Sequence, residues 1–429
     1  EEAAGETERR KKTHETTGEC GDSPGSVHGC PQGGLSTLRR SQPGKVKALG
    51  LYIHIPFCVK KCNYCDFNSF CLNSFDMPEA LINQYMEALH KEAEIQSEAV
   101  RQLGAQVVTI YLGGGTPTCL PEESLLTLLT EIFQAYPVAR DAEVTVECNP
   151  RTVDHKKLRR LRDTGVTRLS IGVQSLDDSL LARLGRAHSA LDAVEVFYLA
   201  RKVGFDNINI DLIYAIPDQT MKDWEETLDL VMELEPEHIS SYGLMLEEGT
   251  PLWNEVRAGA IRPCDEDCEI AMYYLAKDRL KRAGYEHYEI SNFALPGFKC
   301  RHNIIYWRLA PYISLGAGAH SYVGRERWSN LKDPGDYRHS IMRFGSAVDE
   351  QETFTESDEM STVMILGLRM ANGVEEEEFH KRFGKSMRDV FAGAIEKGVA
   401  HGLLEWDGGR LRLTRHGLML SNEAMREFL

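Results

Sequence analysis

From Leu51 onward the chain alternates two apolar patterns. The short runs "LYIHI" (51–55), "QVVTIYL" (106–112), "AEVTVEC" (142–148), "VTRLSIGV" (166–173), "NINIDLIY" (207–214) and "HISSYGLML" (238–246) have the length and β-branched content of strands. The stretches between them, 78–103, 121–135, 151–164 and 219–234, read as helices. Strand–helix alternation at this spacing predicts βαβ units and therefore an α/β fold with a parallel sheet. Six such units predict an open, TIM-like partial (β/α)6 barrel, in which the loops after the strands' C-terminal ends carry the chemistry.

Near Phe354 the pattern changes. Helices are expected at 357–371, 375–383 and 386–401, followed by "LLEWDGGRLRLT" (403–414), a hairpin turning on Asp407, Gly408 and Gly409, and a last helix over 415–428. Three helices and a hairpin predict a winged-helix-like C-terminal domain. Residues 1–47 lack apolar periodicity and are rich in Gly, Ser, Thr, Lys and Glu, the composition of a disordered tail in which Cys20 and Cys30 are incidental. The expected organisation is a tail over 1–47, a barrel with an extension over 48–334, and the C-terminal domain over 335–429.

Composition narrows the functional classes. The chain has 429 residues with 42% hydrophobic content, enough for two or three domains. Lys plus Arg is 49 and Asp plus Glu is 65, so the formal charge is 49 − 65 = −16. That balance opposes nucleic-acid binding, and "VEEEEFH" (374–380) is acidic where a DNA-reading winged helix needs Lys or Arg. No run approaches the roughly 18 apolar residues of a membrane span, which leaves only peripheral contact with a membrane open. The 11 cysteines are spread over a long chain, which favours reduced thiols in a cytoplasm or an organelle matrix over a disulfide framework.

The one tight group is Cys58, Cys62 and Cys65 in "HIPFCVKKCNYCDFNSF", a C-x3-C-x2-C directly after the first strand. Zinc with His54 as fourth ligand is one reading. His54 lies within strand alternation, however, and no second C-x2-C pair exists. A compact trio better suits a [4Fe–4S] cube, in which each thiolate holds one iron and the fourth iron stays open to a small molecule.

A C-x3-C-x2-C after a first strand resembles the radical S-adenosylmethionine superfamily, which implies that the methionine end of the cofactor occupies the open iron. The resemblance continues along the chain in "YLGGGTPT" (111–118), "ECNP" (147–150), "SIGVQSLDD", "LGRAH" (184–188) and "DLIYAIP". It implies cofactor contacts at Gly114, Gly115 and Thr116 after the second strand. Glu147 would accept from ribose hydroxyls, and Gln174, Arg186 and Asp211 would complete the strip. By the same resemblance Tyr52, which shares a strand face with His54, and Tyr64, beside Cys65, join the site.

The spacings are similar to the branch that holds oxygen-independent coproporphyrinogen III dehydrogenase and the HemW-like haem chaperones. The dehydrogenase pattern continues C-x-C after the third cluster cysteine; here Cys65-Asp66-Phe67 puts Phe67 in that place, and Cys71 is six beyond Cys65. "CDF" is the HemW-like form. "HNIIYW" (302–307) resembles that branch's haem-binding motif, which implies His302 as an iron ligand with Tyr306 and Trp307 as flat apolar partners. The implied function is a haem chaperone served by an electron donor and passing haem to acceptor proteins, in the cytoplasm or in a mitochondrial or plastid matrix. The alternative is the dehydrogenase, which decarboxylates two propionates oxidatively to vinyl groups.

Overall fold

The structure is a computed structural model that describes residues 46–429. The tail expected over 1–47, with Cys20 and Cys30, lies outside the described residues except for its last two positions.

The six expected strands form: β1 (Ala48–Ile55), β2 (Gln106–Gly114), β3 (Val138–Cys148), β4 (Arg168–Gln174), β5 (Ile208–Tyr214) and β6 (His238–Gly243). Each pairs in parallel with the next. The crossovers are α1 (Pro78–Leu103), α2 (Glu122–Ala135), α3 (His155–Thr164), α4 (Asp178–Arg183) with α5 (Ala190–Lys202), and α6 (Met221–Glu233). Strand alternation separates two faces. Leu51, Ile53, Ile110, Leu112, Val146 and Ile171 are buried against the helices in one core, each worth about 1.5–3 kcal/mol. The residues between them are polar and meet across the concave side, as where Asn209 Nδ2 donates to Ser170 Oγ at 2.7 Å. A parallel sheet covered on both faces normally reads as unbroken apolar runs. The polar alternation here marks a concave side built for contacts other than packing.

The sheet extends beyond six strands. After α7 (Pro251–Arg257) and α8 (Glu266–Arg282) come β7 (Glu286–Glu289), β8 (Asn292–Ala294), the short helix α9 (Arg301–Trp307), β9 (Tyr312–Leu315), β10 (His320–Val323), β11 (Glu326–Asn330), α10 (Pro334–Phe344) and β12 (Val348–Thr353). The result is one open twelve-stranded sheet of order β12-β11-β10-β9-β1-β2-β3-β4-β5-β6-β8-β7. β9 pairs in parallel with the outer side of β1, and the remaining additions are antiparallel.

A second core, from Met360 to Phe428, joins α11 (Glu356–Gly367) and α12 (Glu376–Phe383) to the small sheet of Val374–Glu375, Leu404–Asp407 and Arg410–Leu413. Its hairpin turns on Gly408 and Gly409, whose φ of 54° and 87° only glycine adopts cheaply. The helices expected over 386–401 and 415–428 each break, at Phe391 and Leu420. The acidic run 376–378 forms the first turn of α12, where the helix dipole favours carboxylates. Between the expected boundary at 334/335 and this core, Tyr337 and Ile341 of α10 pack into the large core, and β12 is the large sheet's edge. Residues 335–353 therefore pack with the barrel.

Candidate functional site

The loop after β1 is fixed by backbone contacts at several points. Phe57–Cys58 pairs with Phe70–Cys71 in a two-residue parallel ladder that closes the loop. His54 Nε2 meets Asn68 O at 2.9 Å, and Asn68 Nδ2 donates to Ala317 O and Lys332 O at 3.1 and 3.0 Å. Asn63 N donates to Leu184 O at 3.0 Å, and Leu252 N to Asn63 O at 2.9 Å. Tyr64 packs beside Leu180, Leu184, Ile213 and Ile216, so it anchors the loop to the ends of α4 and β5. Phe67, 65% exposed, stands free at the rim.

Two of the three half-buried thiols, Cys58 and Cys62, are joined from behind by a hydrogen-bonded chain. Arg186 Nη1 donates to Cys62 Sγ at 3.3 Å, Nη2 to Gly172 O at 2.7 Å and also to Asn149 Oδ1. Asn149 Nδ2 donates to Thr116 Oγ1 at 2.7 Å, and that hydroxyl in turn meets Cys58 Sγ at 3.6 Å. Asn149, two residues past Glu147 in "ECNP", thus joins two of the cysteines, a role its polar neighbours in sequence gave no sign of. Burial raises the pKa of Cys58 and Cys65, partly offset at Cys58 by Thr116, so metal binding there must release protons. Among the described residues no three His, Cys, Asp or Glu side chains gather round a single-ion position. A cubane takes one thiolate per iron and asks for a wider set. Three thiols, one touched by a guanidinium, fit such a cluster. Cys71, which the sequence spacing sets aside, lies opposite Cys58 in the ladder with its thiol on Val59 O at 3.3 Å.

The strip expected across the strand ends assembles next to this loop. Glu147 accepts from Tyr111 OH at 2.8 Å and Gly114 N at 3.3 Å, and burial pushes its pKa up to about 7. Asp211 accepts from Asn209 Nδ2 at 2.8 Å and Ser170 Oγ at 3.1 Å, and burial raises its pKa as well. Gln174 follows a bulge after Gly172 and takes φ 68°, a left-handed conformation that non-glycine residues adopt at a cost of about 1–3 kcal/mol. The glycine run is needed first by the protein itself. A Cβ on Gly115 would come within 2.5 Å of Phe57 O, and one on Gly114, at φ 112°, within 2.4 Å of the His54 ring. Tyr52 bonds His54 Nδ1 at 3.0 Å. Arg186 Nε is buried without a partner, a donor left over beside the thiols.

His302 lies elsewhere. α9 closes the opposite end of the strands: a Cβ on Gly50, near the start of β1, would sit 3.2 Å from His302 Cε1. The imidazole is 1% exposed, with Nδ1 on Thr109 Oγ1 at 2.7 Å and Nε2 on Tyr306 OH at 2.9 Å. Its ring stacks on Tyr111 at 5.2 Å. Burial, then the Arg168 charge, lowers its pKa to about 3, so the ring is neutral. Tyr306 is therefore with His302, whereas Trp307 faces Arg369, whose guanidinium lies 4.5 Å from the ring centre. The structure brings the thiols and the strand-end strip together and sets the "HNIIYW" group apart, linked to them through Tyr111.

This fold and site define a class. Residues 52–231 match the family model of the radical SAM superfamily, and 354–420 that of the HemN C-terminal domain. The solved structure of coproporphyrinogen III oxidase (HemN) from Escherichia coli superposes with a TM-score of 0.80 over 92% of each chain at 23% identity, which shows a shared α/β fold with an open sheet. The chain is 35% identical to the haem chaperone HemW of Bacillus subtilis over 88% of this chain and 98% of that one. It is 33% identical to HemW of Escherichia coli over 90% and 99%. A bovine protein, radical S-adenosyl methionine domain-containing protein 1, mitochondrial, is 30% identical over 90% and 88%. The chain belongs to the HemW family.

Proposed function

We propose that the chain holds a [4Fe–4S] cluster through Cys58, Cys62 and Cys65, binds S-adenosylmethionine across the strand ends, and carries haem on His302 for delivery to acceptor proteins. The observation that carries this reading is the likeness to haem chaperones along nearly the whole chain, with Phe67 standing where the dehydrogenase pattern has a cysteine. Cluster and sulfonium together supply one-electron reductive chemistry, for which an electron donor is needed. The chain's own part is positional. Arg186, Asn149 and Thr116 orient the Cys58 and Cys62 thiols, while Glu147, with Gln174 and Asp211, receives the nucleoside. At the far end, the neutral His302 imidazole has no proton to lose before it ligates iron, but one ring nitrogen must first leave Tyr306 or Thr109.

No helix among the described residues is long and apolar enough to cross a membrane. We propose a cytoplasmic or organelle-matrix setting, in keeping with nine free cysteines among the described residues.

The test is anaerobic reconstitution followed by haem titration with and without S-adenosylmethionine. His302→Ala is expected to weaken haem binding at least about tenfold while iron and sulfide content stay at the wild-type level. Unchanged affinity would remove His302 from the ligand role. Protoporphyrinogen formed from coproporphyrinogen III would favour the dehydrogenase instead. Asn149→Ala cuts the chain between Arg186 and Thr116. It is expected to weaken S-adenosylmethionine binding by about 1–3 kcal/mol with iron content retained, read by calorimetry on the reconstituted protein.

A further inference from the structure

The haem reading of His302 raises a problem, because in this structure that imidazole has no free nitrogen. Both ring nitrogens are hydrogen-bonded, one face is stacked on Tyr111, and the ring is enclosed. Iron can bind only after Nε2 leaves Tyr306 or Nδ1 leaves Thr109, and after α9 moves. The segment has the form of a movable plug. It runs seven residues, Arg301–Trp307, after Pro296 and Gly297 (φ 91°) and before Leu309 (φ 45°, left-handed without being glycine). Trp307 Nε1 is buried without a partner, a cost that the closed position carries and release would relieve.

One end of the plug is held by the barrel and the other by the C-terminal domain. The first turn of α9 is held by Glu143 of β3, which accepts from Arg301 N and His302 N at 3.1 Å each. The other end is held by the C-terminal domain. Arg382 Nη1 donates to Arg308 O and Nη2 to Leu309 O, both at 3.1 Å, holding the two carbonyls that follow the helix. Arg369 covers the Trp307 ring. Arg382 is itself aimed by Glu359 of α11, a carboxylate only 7% exposed. Glu359 Oε1 accepts from Arg382 Nε at 3.1 Å and Nη2 at 2.6 Å, and its Oε2 accepts from Arg325 Nε at 2.5 Å. Arg325 is in the β10–β11 turn, so one buried carboxylate ties the domain to the barrel and to the plug at once.

We infer that the C-terminal domain is a latch on the haem site: with Arg382 docked on Arg308 and Leu309, α9 keeps His302 shut, and haem gains the imidazole only when that contact is released. This rests on His302 being the iron ligand. Its consequence is that haem and the docked domain compete for one segment. Apparent haem affinity is then the intrinsic affinity reduced by the small fraction of unlatched chain, and re-docking of the domain pushes haem toward an acceptor.

The test uses the full chain. In haem-free protein, Arg382→Ala is expected to speed amide hydrogen exchange over 302–309 about tenfold and to leave strands 106–112 and 142–148 unchanged. The haem association rate should rise by a similar factor. Lys385→Ala, which removes only the exposed pair with Glu356, is the control expected to change neither. If Arg382→Ala loosens the whole domain, Arg382→Lys keeps the charge but cannot fork onto two carbonyls and is expected to show the same local effect in smaller measure. Unchanged exchange over 302–309 in both variants, or haem association no faster than wild type, would overturn the latch. Faster exchange together with a haem affinity indifferent to His302→Ala would instead overturn the ligand assignment, and with it any role for the latch in haem access.

Discussion

Cys62→Ala is expected to give a folded, colourless protein: after anaerobic reconstitution, iron and acid-labile sulfide both fall to background. A cube served by three thiolates keeps one iron for a small molecule, and losing a thiolate leaves two corners without protein. Cys62 is also the thiol that Arg186 touches, at 3.3 Å, so its removal takes a hydrogen-bond acceptor from the guanidinium as well as a proposed ligand from the cluster. The fold should survive. The loop is held at Asn63 by Leu184 O and by Leu252 N, and at Asn68 by Ala317 O and Lys332 O, none of which involves a thiol. Far-UV circular dichroism should match wild type. Cys71→Ala is the necessary control, because Cys71 lies opposite Cys58 in the two-residue ladder. It should retain full iron and sulfide. Full iron in Cys62→Ala, or its loss in Cys71→Ala, would mean that a different set of thiols holds the cluster.

The parallel centre of the fold was legible because its alternation carries two signals at once. Apolar positions such as Leu51, Ile53, Ile110 and Leu112 face the helices, while the positions between them, Tyr52, Thr109 and Tyr111, lie on the other face, where Tyr52 stacks on Tyr111 and Thr109 bonds His302. The flanking strands give no such signal. "EHYE" and "VDEQET" are largely polar, "NFA" is only three residues long, and β12 is exposed along most of its length. They form because a neighbour's edge is already there to pair with, which is tertiary information. The same holds for the site. Cysteine spacing and strand-end polar residues mark the thiol loop and its strip, since those residue types are costly to place there by chance. Asn149 and Glu143 look like ordinary polar residues, and only the fold shows that one joins Arg186 to Thr116 and the other caps α9. "HNIIYW" is visible as a group, but its enclosure depends on Arg369 and Arg382, more than sixty residues further along the chain.

Glu92→Ala is expected to cost about 3–5 kcal/mol of stability. Glu92 belongs to α1 and is 2% exposed. Its carboxyl accepts from Gly316 N at 2.7 Å, Asn330 Nδ2 at 2.7 Å and Tyr337 OH at 2.6 Å. One side chain therefore ties the first helix to the end of β9, to β11 and to α10, the parts of the sheet that carry no pattern of their own. Alanine leaves three buried donors unpaired, each costing about 1–3 kcal/mol less whatever water recovers. The loss should appear as a lower urea midpoint with a comparable m-value. Glu92 also sets a pH dependence. Burial raises its pKa from the ordinary 4.5 to about 7, against the lowering effect of its three donors. Between those two values the folded chain holds a proton that the unfolded chain has released. The stability this proton confers is full below about pH 4.5 and is lost as pH rises through about 7, with a span of about 3 kcal/mol. Glu147, also near 7, adds a slope of the same sign. Glu92→Gln cannot titrate, so it should remove part of the fall in Tm between pH 5 and 7.5 and leave the share that belongs to Glu147. An unaltered slope in Glu92→Gln would place the proton on another group.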